Sequence, residues 1–328
     1  MATTETGTLF LHPTRNLALE LVRATEAAAI RAVPFIGRGD KLGADGAAVD
    51  AMRKFLGTVN FAGVVVIGEG EKDKAPMLFN GEQVGTGRGP ACDIAVDPID
   101  GTSLTAAGRR NAISMIAASD RGSMLDAHTV FYMDKIVTGP EGIGVVDIRQ
   151  SVAENIRALA AAKRKPVGEM SIGVLDRPRH EDLIRAIREA GAGTRLLLDG
   201  DVAGGIDAAS YEGRLDMCIG RGGSPEGVAT ACAIKALGGL IQTRLAPQTD
   251  EERANGEADG LKFDHVYEAD ELVRGDNTFF VATGVTDGNL VGGVRRKGPV
   301  IRTESIVLRA RSGTIRRITA DHLAEKWL

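Results

Sequence analysis

The sequence predicts a mixed α/β protein of the α+β type, built as two lobes in which helices cover short apolar strands. The chain opens with two amphipathic helical stretches, at residues 15–33 and 44–58. Short apolar runs that end at glycine or acidic residues follow, as buried strands do. From about residue 165 strands and helices alternate regularly, which is typical of an α/β lobe.

The helices are predicted where apolar residues recur at helical spacing among Ala, Leu and Glu, which favour helix. Strands are predicted where apolar residues run continuously between turn residues. In chain order, the predicted strands are residues 63–67, 91–96, 112–119, 170–175, 194–198, 215–219, 278–282, 305–309 and 314–318. Two further helices are predicted at residues 180–190 and 228–237. The very polar stretch 248–262 is expected to form a surface excursion.

This order of elements predicts a chain that leaves its first lobe and later returns to it. Residues 1–14 are expected to form a flexible N-terminal arm. Residues 15–165 would form the first lobe, completed by residues 289–328, and residues 166–288 would form a second lobe between them. At 328 residues the chain is long enough to bury a large core.

The composition argues against several classes of protein. A net charge of −4 is unlike a general nucleic-acid binder, which needs clustered Lys and Arg. No run of about 18 apolar residues exists, so no membrane span is expected. The N-terminal segment lacks the basic and apolar regions of a secretory signal. Cys92, Cys218 and Cys232 match no zinc or redox spacing, so we expect reduced, buried thiols in a cytoplasmic protein.

Carboxylates recur at the ends of the predicted strands. They are Glu69, Asp97, Asp199, Asp201 and Glu226. Ligands gather at strand ends in open α/β sheets, because the connecting loops meet there. A single acidic residue in such a place is usually a helix cap or a solvated turn. Several in one chain favour a functional site.

The hexapeptide Asp-Pro-Ile-Asp-Gly-Thr at residues 97–102 is the most informative of these segments. Pro98 fixes φ, so a turn can bring Asp100 back beside Asp97 around a common cation. The Ile99 carbonyl could add a neutral oxygen ligand. The following amides can face a phosphate if a helix starts there. Because all these donors are hard oxygens, the segment favours Mg²⁺ or Mn²⁺ over zinc.

This hexapeptide is similar to the signature of the lithium-sensitive, metal-dependent phosphatase superfamily, which includes inositol monophosphatase and fructose bisphosphatases. From about residue 15 to the end, the chain resembles the class II fructose-1,6-bisphosphatase family of bacteria, some of whose members carry Glu in place of Asp100. The matching blocks are GRGDKLGADGAAVDAMR (37–53), VVIGEGEKDKAPMLFNGEQVGTGRGP (65–90), DIAVDPIDGTSLTAAG (93–108), DRPRH (176–180), DGDVAG (199–204), GGSPEG (222–227) and ATGVTDG (282–288). The resemblance implies a layered αβαβα sugar-phosphatase sandwich, with the first lobe catalytic and the second binding the sugar phosphate.

The resemblance also implies roles for matching positions. Mg²⁺ or Mn²⁺ would be held by Asp45, Glu69, Asp97, Asp100 and Glu226. The scissile phosphate would contact Asp100, Gly101 and Thr102. The sugar and its second phosphate would be held by Tyr132, Arg177, Pro178, Arg179, Asp199, Gly200, Asp201 and Gly223. The family further implies a homo-oligomer, either a dimer or a tetramer.

The implied activity is hydrolysis of fructose 1,6-bisphosphate to fructose 6-phosphate, a step of gluconeogenesis. In the mechanism we expect, the Thr102 hydroxyl orients and helps to deprotonate the attacking water. Asp73 is a candidate for the relay of that proton or for a further metal ligand. No covalent phospho-enzyme is required, because positioning and charge neutralisation do most of the work in phosphoryl transfer.

Three other functions are considered. A related phosphatase could act on inositol monophosphate or a 3′-phosphonucleotide with the same chemistry. A dinucleotide-binding oxidoreductase is disfavoured, because GRGDKL, GEGEKD and GTGRGP all lack the third glycine of the nucleotide-binding motif. A non-catalytic sugar-phosphate or metal-binding protein would be expected to lack some of the catalytic groups, and this chain carries the full set.

Overall fold

The computed structural model describes residues 17–68 and 77–327. Three sequence predictions lie outside these ranges: the N-terminal arm over residues 1–14, Glu69 and Asp73. Within the described residues, no helix combines the length and apolar character needed to cross a bilayer.

Helices and strands follow one another along the whole described chain. The helices are α1 (Leu17–Ala32), α2 (Lys41–Leu56), α3 (Thr102–Ala106), α4 (Val152–Lys163), α5 (Glu181–Glu189), α6 (Asp201–Ala209), α7 (Ser224–Leu237), α8 (Asp250–Ala258) and α9 (Ala269–Leu272). The strands are β1 (Ala62–Ile67), β2 (Gln83–Val84), β3 (Ala91–Asp100), β4 (Ile113–Asp120), β5 (Tyr132–Thr138), β6 (Ser171–Leu175), β7 (Gly193–Leu197), β8 (Met217–Gly223), β9 (Leu240–Leu245), β10 (Tyr267–Glu268), β11 (Phe279–Gly284), β12 (Arg295–Lys297), β13 (Val300–Arg309) and β14 (Thr314–Leu323). Every strand and helix predicted from residue 15 onward has a counterpart among these elements.

The strands form two mixed sheets. The first sheet has the order β12-β13-β11-β4-β3-β1-β2, and β14 pairs with β13. In it β1 and β3 run parallel, while β3, β4, β11 and β13 pair antiparallel. The second sheet has the order β10-β9-β5-β8-β6-β7. In it β6 runs parallel to both β7 and β8, and β5 pairs antiparallel with β8 and β9.

Helices separate and cover the two sheets, which gives five layers. Helices α1 and α2 pack on one face of the first sheet, and α7 packs on its other face. Helix α7 also contacts β5, β8 and β9, so α6 and α7 lie between the sheets. Helices α4 and α5 cover the outer face of the second sheet. The mixed α/β class predicted from the sequence is confirmed, and the layers follow the αβαβα order.

Three apolar clusters fill the spaces between these layers. The cluster between α1, α2 and the first sheet contains Leu21, Met52 and Ile116. The central cluster between the sheets contains Phe280 and reaches α6 and α7. The outer cluster joins α4 and α5 to the second sheet. Burial of these side chains on every layer boundary fixes how the sheets and helices stack.

The chain passes from one sheet to the other at two places. Residues 132–138 already belong to the second sheet, and residues 279–284 already belong to the first. The lobe boundaries expected at residues 165 and 288 do not coincide with these crossings. We propose that the two lobes divide in the connections between β4 and β5 and between α9 and β11.

Several predicted strands are longer than expected, and one predicted excursion is helical. The strand at 91–96 extends through Asp100, and the strand at 215–219 extends to Gly223. The polar stretch at 248–262 contains α8, whose Thr249 side chain caps the helix by accepting from the Glu252 amide at 3.0 Å. Most of that helix is exposed, so its polarity does not conflict with helix formation.

Candidate active site

The predicted site residues meet in a cleft between the two sheets. The first sheet contributes the end of β3, and α2 contributes Asp45. The loop before α6 contributes Asp199, and the first turn of α7 contributes Glu226. The acidic and hydroxyl side chains along the cleft are Asp45, Asp97, Asp100, Thr102, Asp126, Asp199 and Glu226. Residues more than 120 positions apart in the sequence therefore face one another across the cleft.

A bulge in β3 presents the hexapeptide to the cleft. Asp97 lies opposite Met115 of β4, and Asp100 lies opposite Ile113, so three steps on β3 match two on β4. The extra residue bends the strand. The Asp97 carboxylate accepts a hydrogen bond from the Ile99 amide at 3.0 Å, which stabilises this bend. The prediction that the strand ends at Asp97 is therefore wrong.

Gly101 makes the transition from β3 to α3. Its φ is +98°, and a Cβ there would lie 3.0 Å from the Leu104 side chain, so glycine is required. Helix α3 begins at the next residue, Thr102. The Thr102 side chain is half-buried and lines the cleft beside Asp100.

Four carboxylates crowd the buried end of the cleft: Asp100, Asp199, Asp201 and Glu226. Asp100 is 6% exposed, and the backbone at Gly200 approaches it so closely that a Cβ there would lie 3.6 Å from Asp100 Oδ2. Burial, followed by the charges of Asp201, Glu226 and Asp199, raises the pKa of Asp100 well above its usual value. Burial and the Asp201 charge likewise raise the pKa of Glu226.

Lys135 of β5 is a cation in direct contact with this cluster. Its ammonium forms a buried ion pair with the Asp201 carboxylate and lies 3.3 Å from the Gly223 carbonyl. Burial alone would lower the pKa of Lys135, but the charges of Asp201 and Glu226 outweigh it and raise that pKa. Sequence reasoning missed Lys135. The sequence shows only a lysine next to the apolar residues Ile136 and Val137, which does not identify its acidic partner.

The donor set fits a divalent cation. Among the described residues, Asp100 Oδ2 and Glu226 Oε2 are enclosed and accept no hydrogen bond. Buried carboxylate oxygens without partners are costly, and a cation that they ligate removes that cost. Within residues 17–68 and 77–327, no three His, Cys, Asp or Glu side chains already converge on a single metal position. A bound cation would therefore draw these carboxylates together or use further donors.

Asp45 extends the acidic lining of the cleft from α2. The N-cap of this helix is Asp40, whose carboxylate accepts a hydrogen bond from the Gly43 amide at 2.8 Å and fixes the first turn. Asp45 lies in the second turn and is half-buried, and burial raises its pKa. Its place in the cleft agrees with a metal-binding role.

A basic segment lies on the side of the second sheet. Arg177 donates to the Leu198 carbonyl at 2.7 Å and to Asp199 Oδ1 at 3.2 Å, so it holds the loop before α6. Arg179 is exposed, and its guanidinium lies 5.1 Å from the centre of the Tyr132 ring. Pro178 starts the single helical turn that presents both arginines. These groups could bind a second anionic group of a substrate.

The structure brings together most of the residues singled out by sequence. The predicted metal ligands Asp45, Asp97, Asp100 and Glu226 line one cleft, as do Gly101 and Thr102. Tyr132 and Gly223 are paired neighbours on β5 and β8. Gly200 and Asp201 follow Asp199 and begin α6, with Gly200 in a left-handed conformation at φ +77°. Their roles in binding or catalysis stay predictions.

Comparisons with known proteins give a consistent result. A model of the family described as bacterial fructose-1,6-bisphosphatase, glpX-encoded, matches residues 15–322. Fructose-1,6-bisphosphatase 1 class 2 of Escherichia coli (strain K12) is 43% identical over 325 residues, covering 95% of this chain and 96% of that protein. The same values hold for fructose-1,6-bisphosphatase class 2 of Shigella flexneri. A solved structure of an extragenic suppressor from Pyrococcus furiosus is 17% identical to this chain, and the match covers 61% of this chain and 70% of the suppressor chain. Its TM-score is 0.28, which supports no argument.

Proposed function

The chain belongs to the bacterial glpX-encoded fructose-1,6-bisphosphatase family, and from this premise we propose that it hydrolyses fructose 1,6-bisphosphate to fructose 6-phosphate and phosphate. The observation that carries the proposal is the pair of enclosed, unpartnered carboxylate oxygens of Asp100 and Glu226 in the cleft beside Thr102. The arginines of the Arg177-Pro178-Arg179 turn supply the chemistry expected for a second phosphate.

The family is one of metal-dependent phosphatases, and we propose Mg²⁺ or Mn²⁺ as the metal. Oxygen-only donors are suited to either ion. The proposed ligands are Asp45, Glu69, Asp97, Asp100 and Glu226. When bound, such ions neutralise phosphate charge and activate water for hydrolysis. The raised pKa of Asp100 follows from burial among like charges, which a bound cation would offset.

Thr102 is the proposed catalytic residue. Its half-buried hydroxyl lies at the start of α3, next to Gly101 and Asp100, in the wall of the cleft. We propose that these three residues contact the scissile phosphate, and that the hydroxyl orients the attacking water and takes part in its deprotonation. Asp73 remains the candidate for relaying the proton.

The sugar and the second phosphate are proposed to bind against the second sheet. Asp199 and Asp201 can each accept hydrogen bonds from sugar hydroxyls, and the Asp199 carboxylate is already held by Arg177 at 3.2 Å. Arg179 offers a planar fork for phosphate. The remaining proposed contacts are Tyr132, Pro178, Gly200 and Gly223.

The proposal also covers the pathway, the cellular compartment and the oligomeric state of the enzyme. We infer a gluconeogenic enzyme of the cytoplasm that works as a homo-oligomer, either a dimer or a tetramer. Three free, buried cysteines support a reducing compartment, where disulfides do not persist. Light scattering coupled to size-exclusion chromatography would measure the oligomeric state.

Phosphate release from a small panel of substrates tests the proposed function. Purified protein, treated with EDTA and dialysed, would be assayed with fructose 1,6-bisphosphate, inositol 1-phosphate and a 3′-phosphonucleotide, with and without added Mg²⁺ or Mn²⁺. We expect turnover of the sugar bisphosphate only after a metal is added, because uncompensated carboxylates would otherwise repel the phosphate.

Preference for inositol phosphate or the nucleotide would favour a related phosphatase instead. Release that survives thorough chelation would contradict the metal requirement. Binding of fructose 1,6-bisphosphate without any single-turnover release would indicate a non-catalytic sugar-phosphate-binding protein.

A further inference from the structure

His180 is a buried histidine beside the basic turn, and no role has been assigned to it. It is 3% exposed and ends the turn that contains Arg177 and Arg179. Its ring reaches across to β8 of the second sheet, where Gly220 and Arg221 lie. A buried polar ring between a ligand-binding turn and a strand can fix the position of both.

Both ring nitrogens of His180 have backbone partners. Nδ1 lies 2.8 Å from the Leu175 carbonyl, and Nε2 lies 2.8 Å from the Arg221 amide nitrogen. A carbonyl can only accept and an amide N–H can only donate, so Nδ1 carries the proton and Nε2 is the acceptor. The ring is therefore neutral. Burial and the nearby charges of Arg179 and Arg221 lower the pKa of His180, while the Leu175 carbonyl and Asp134 act in the opposite direction.

The backbone of Arg221 links the ring to Arg179 through two consecutive peptide units. The Arg221 amide donates to His180, and the Arg221 carbonyl accepts from Arg179 Nε at 3.2 Å and from Arg179 Nη2 at 3.0 Å. The guanidinium of Arg221 is itself anchored, because it donates to both carboxylate oxygens of Asp134 at 2.7 and 3.1 Å. Arg179 is thus fixed through a chain of hydrogen bonds that starts at the imidazole.

Gly220 makes the close approach of the ring possible. Its φ is +144°, and a Cβ at this position would lie 3.1 Å from His180 Nε2 and 3.2 Å from Cε1. Real Cβ atoms rarely come so close, so any other residue would displace the ring or the strand. The glycine and the histidine therefore form a matched pair.

We propose that His180 is a positioning residue for the second phosphate of the substrate, acting through the backbone of Arg221 on Arg179. This inference rests on the proposed function, in which Arg179 binds that phosphate. His180 itself touches neither substrate nor metal. Its effect is to hold the guanidinium of Arg179 at a fixed distance from Tyr132 and the cleft, so that less side-chain freedom is lost when the phosphate binds.

Two substitutions separate the two hydrogen bonds of the ring. In His180→Gln the amide oxygen can reach the place of Nε2 and still accept from the Arg221 amide. In His180→Asn the shorter side chain can replace only the bond made by Nδ1, which leaves the Arg221 amide without its acceptor. Both variants remove the imidazole, so a general loss of packing would affect them similarly.

The readout compares two substrates that differ only in the second phosphate. We expect His180→Asn to lower kcat/KM for fructose 1,6-bisphosphate about 10-fold, mainly through KM. For fructose 1-phosphate, which lacks the second phosphate, the change should stay within about two-fold. His180→Gln should recover most of the loss. Thermal unfolding of each variant shows whether it is folded.

Equal losses on both substrates, or equal losses for the Asn and Gln variants, would overturn the inference. If His180→Asn does not fold, Gly220→Ala provides the same test by crowding the ring, and it should show the same loss selective for the bisphosphate. A wild-type protein that releases no phosphate from fructose 1,6-bisphosphate would overturn the proposed function instead, before any variant is compared.

Discussion

At the scale of single residues, the site depends on where a few carboxylates are left without partners. Asp100 and Glu226 each have an enclosed oxygen that accepts no hydrogen bond within the described residues. The sequence could predict both, because each lies in a short motif at a strand end. It could not predict Lys135, since only the pairing of β5 with β8 brings that ammonium to Asp201 and Gly223.

Thr102 gives a direct test of the catalytic assignment at this scale. Thr102→Val keeps the shape of the side chain and removes the hydroxyl. We expect kcat for fructose 1,6-bisphosphate to fall about 100-fold or more while KM stays nearly unchanged, because the hydroxyl acts on the attacking water in the transition state. Steady-state kinetics under saturating Mg²⁺ measures both constants.

Thr102→Ser is the matched control, since it keeps the hydroxyl and loses only a methyl group. It should retain most of the activity. A Val variant that turns over at a near-normal rate, or a Ser variant that is equally impaired, would contradict the assignment of Thr102.

At the scale of elements, β3 shows why the sequence predicts the end of this strand too early. Proline lacks an amide hydrogen, so Pro98 argues for the end of a strand. The bulge between Asp97 and Asp100 instead lets β3 continue its pairing with β4. The bulge is a product of long-range pairing, and neither Pro98 nor its neighbours encode the partner strand.

A buried polar network joins α1 to the two C-terminal strands β13 and β14. Thr303 of β13 lies 3.1 Å from the Glu26 carboxylate of α1 and 2.9 Å from His322 Nε2 of β14. His322 and Trp327 also contact each other, with ring centroids 4.4 Å apart. This network links α1 to β13 and β14, and none of its residues lines the cleft.

The network predicts a pH dependence of stability. Burial lowers the pKa of His322, so the unfolded chain takes up a proton at a higher pH than the folded protein does. The free energy of unfolding should therefore fall as pH decreases below the ordinary histidine pKa of about 6.5. We expect the fall in Tm between about pH 7.5 and about pH 5.5 to be smaller in His322→Gln than in the wild type.

His128→Gln is the comparison variant, because it removes a histidine whose side chain is 54% exposed instead of a buried one. Calorimetry of the three proteins at both pH values gives the comparison. If His322→Gln loses as much Tm on acidification as the wild type, His322 does not carry the effect.

At the scale of the whole molecule, the active cleft requires both sheets. The hexapeptide comes from the first sheet, whereas the basic turn, Asp199 and Glu226 each follow a strand of the second sheet. Alternating strand and helix patterns in the sequence predicted the mixed α/β class. They could not predict that residues 132–138 cross to the second sheet early, because sheet membership depends on distant partners such as β8 and β9.

The assembled cleft is proposed to remove one particular phosphate from a sugar bisphosphate. Phosphorus NMR of fructose 1,6-bisphosphate with the wild-type enzyme and Mg²⁺ observes both phosphates at once. We expect the C1 phosphate signal to disappear as inorganic phosphate appears, while the C6 phosphate signal persists in fructose 6-phosphate. A spectrum in which neither signal changes, or in which the C6 phosphate is lost first, would contradict this proposal.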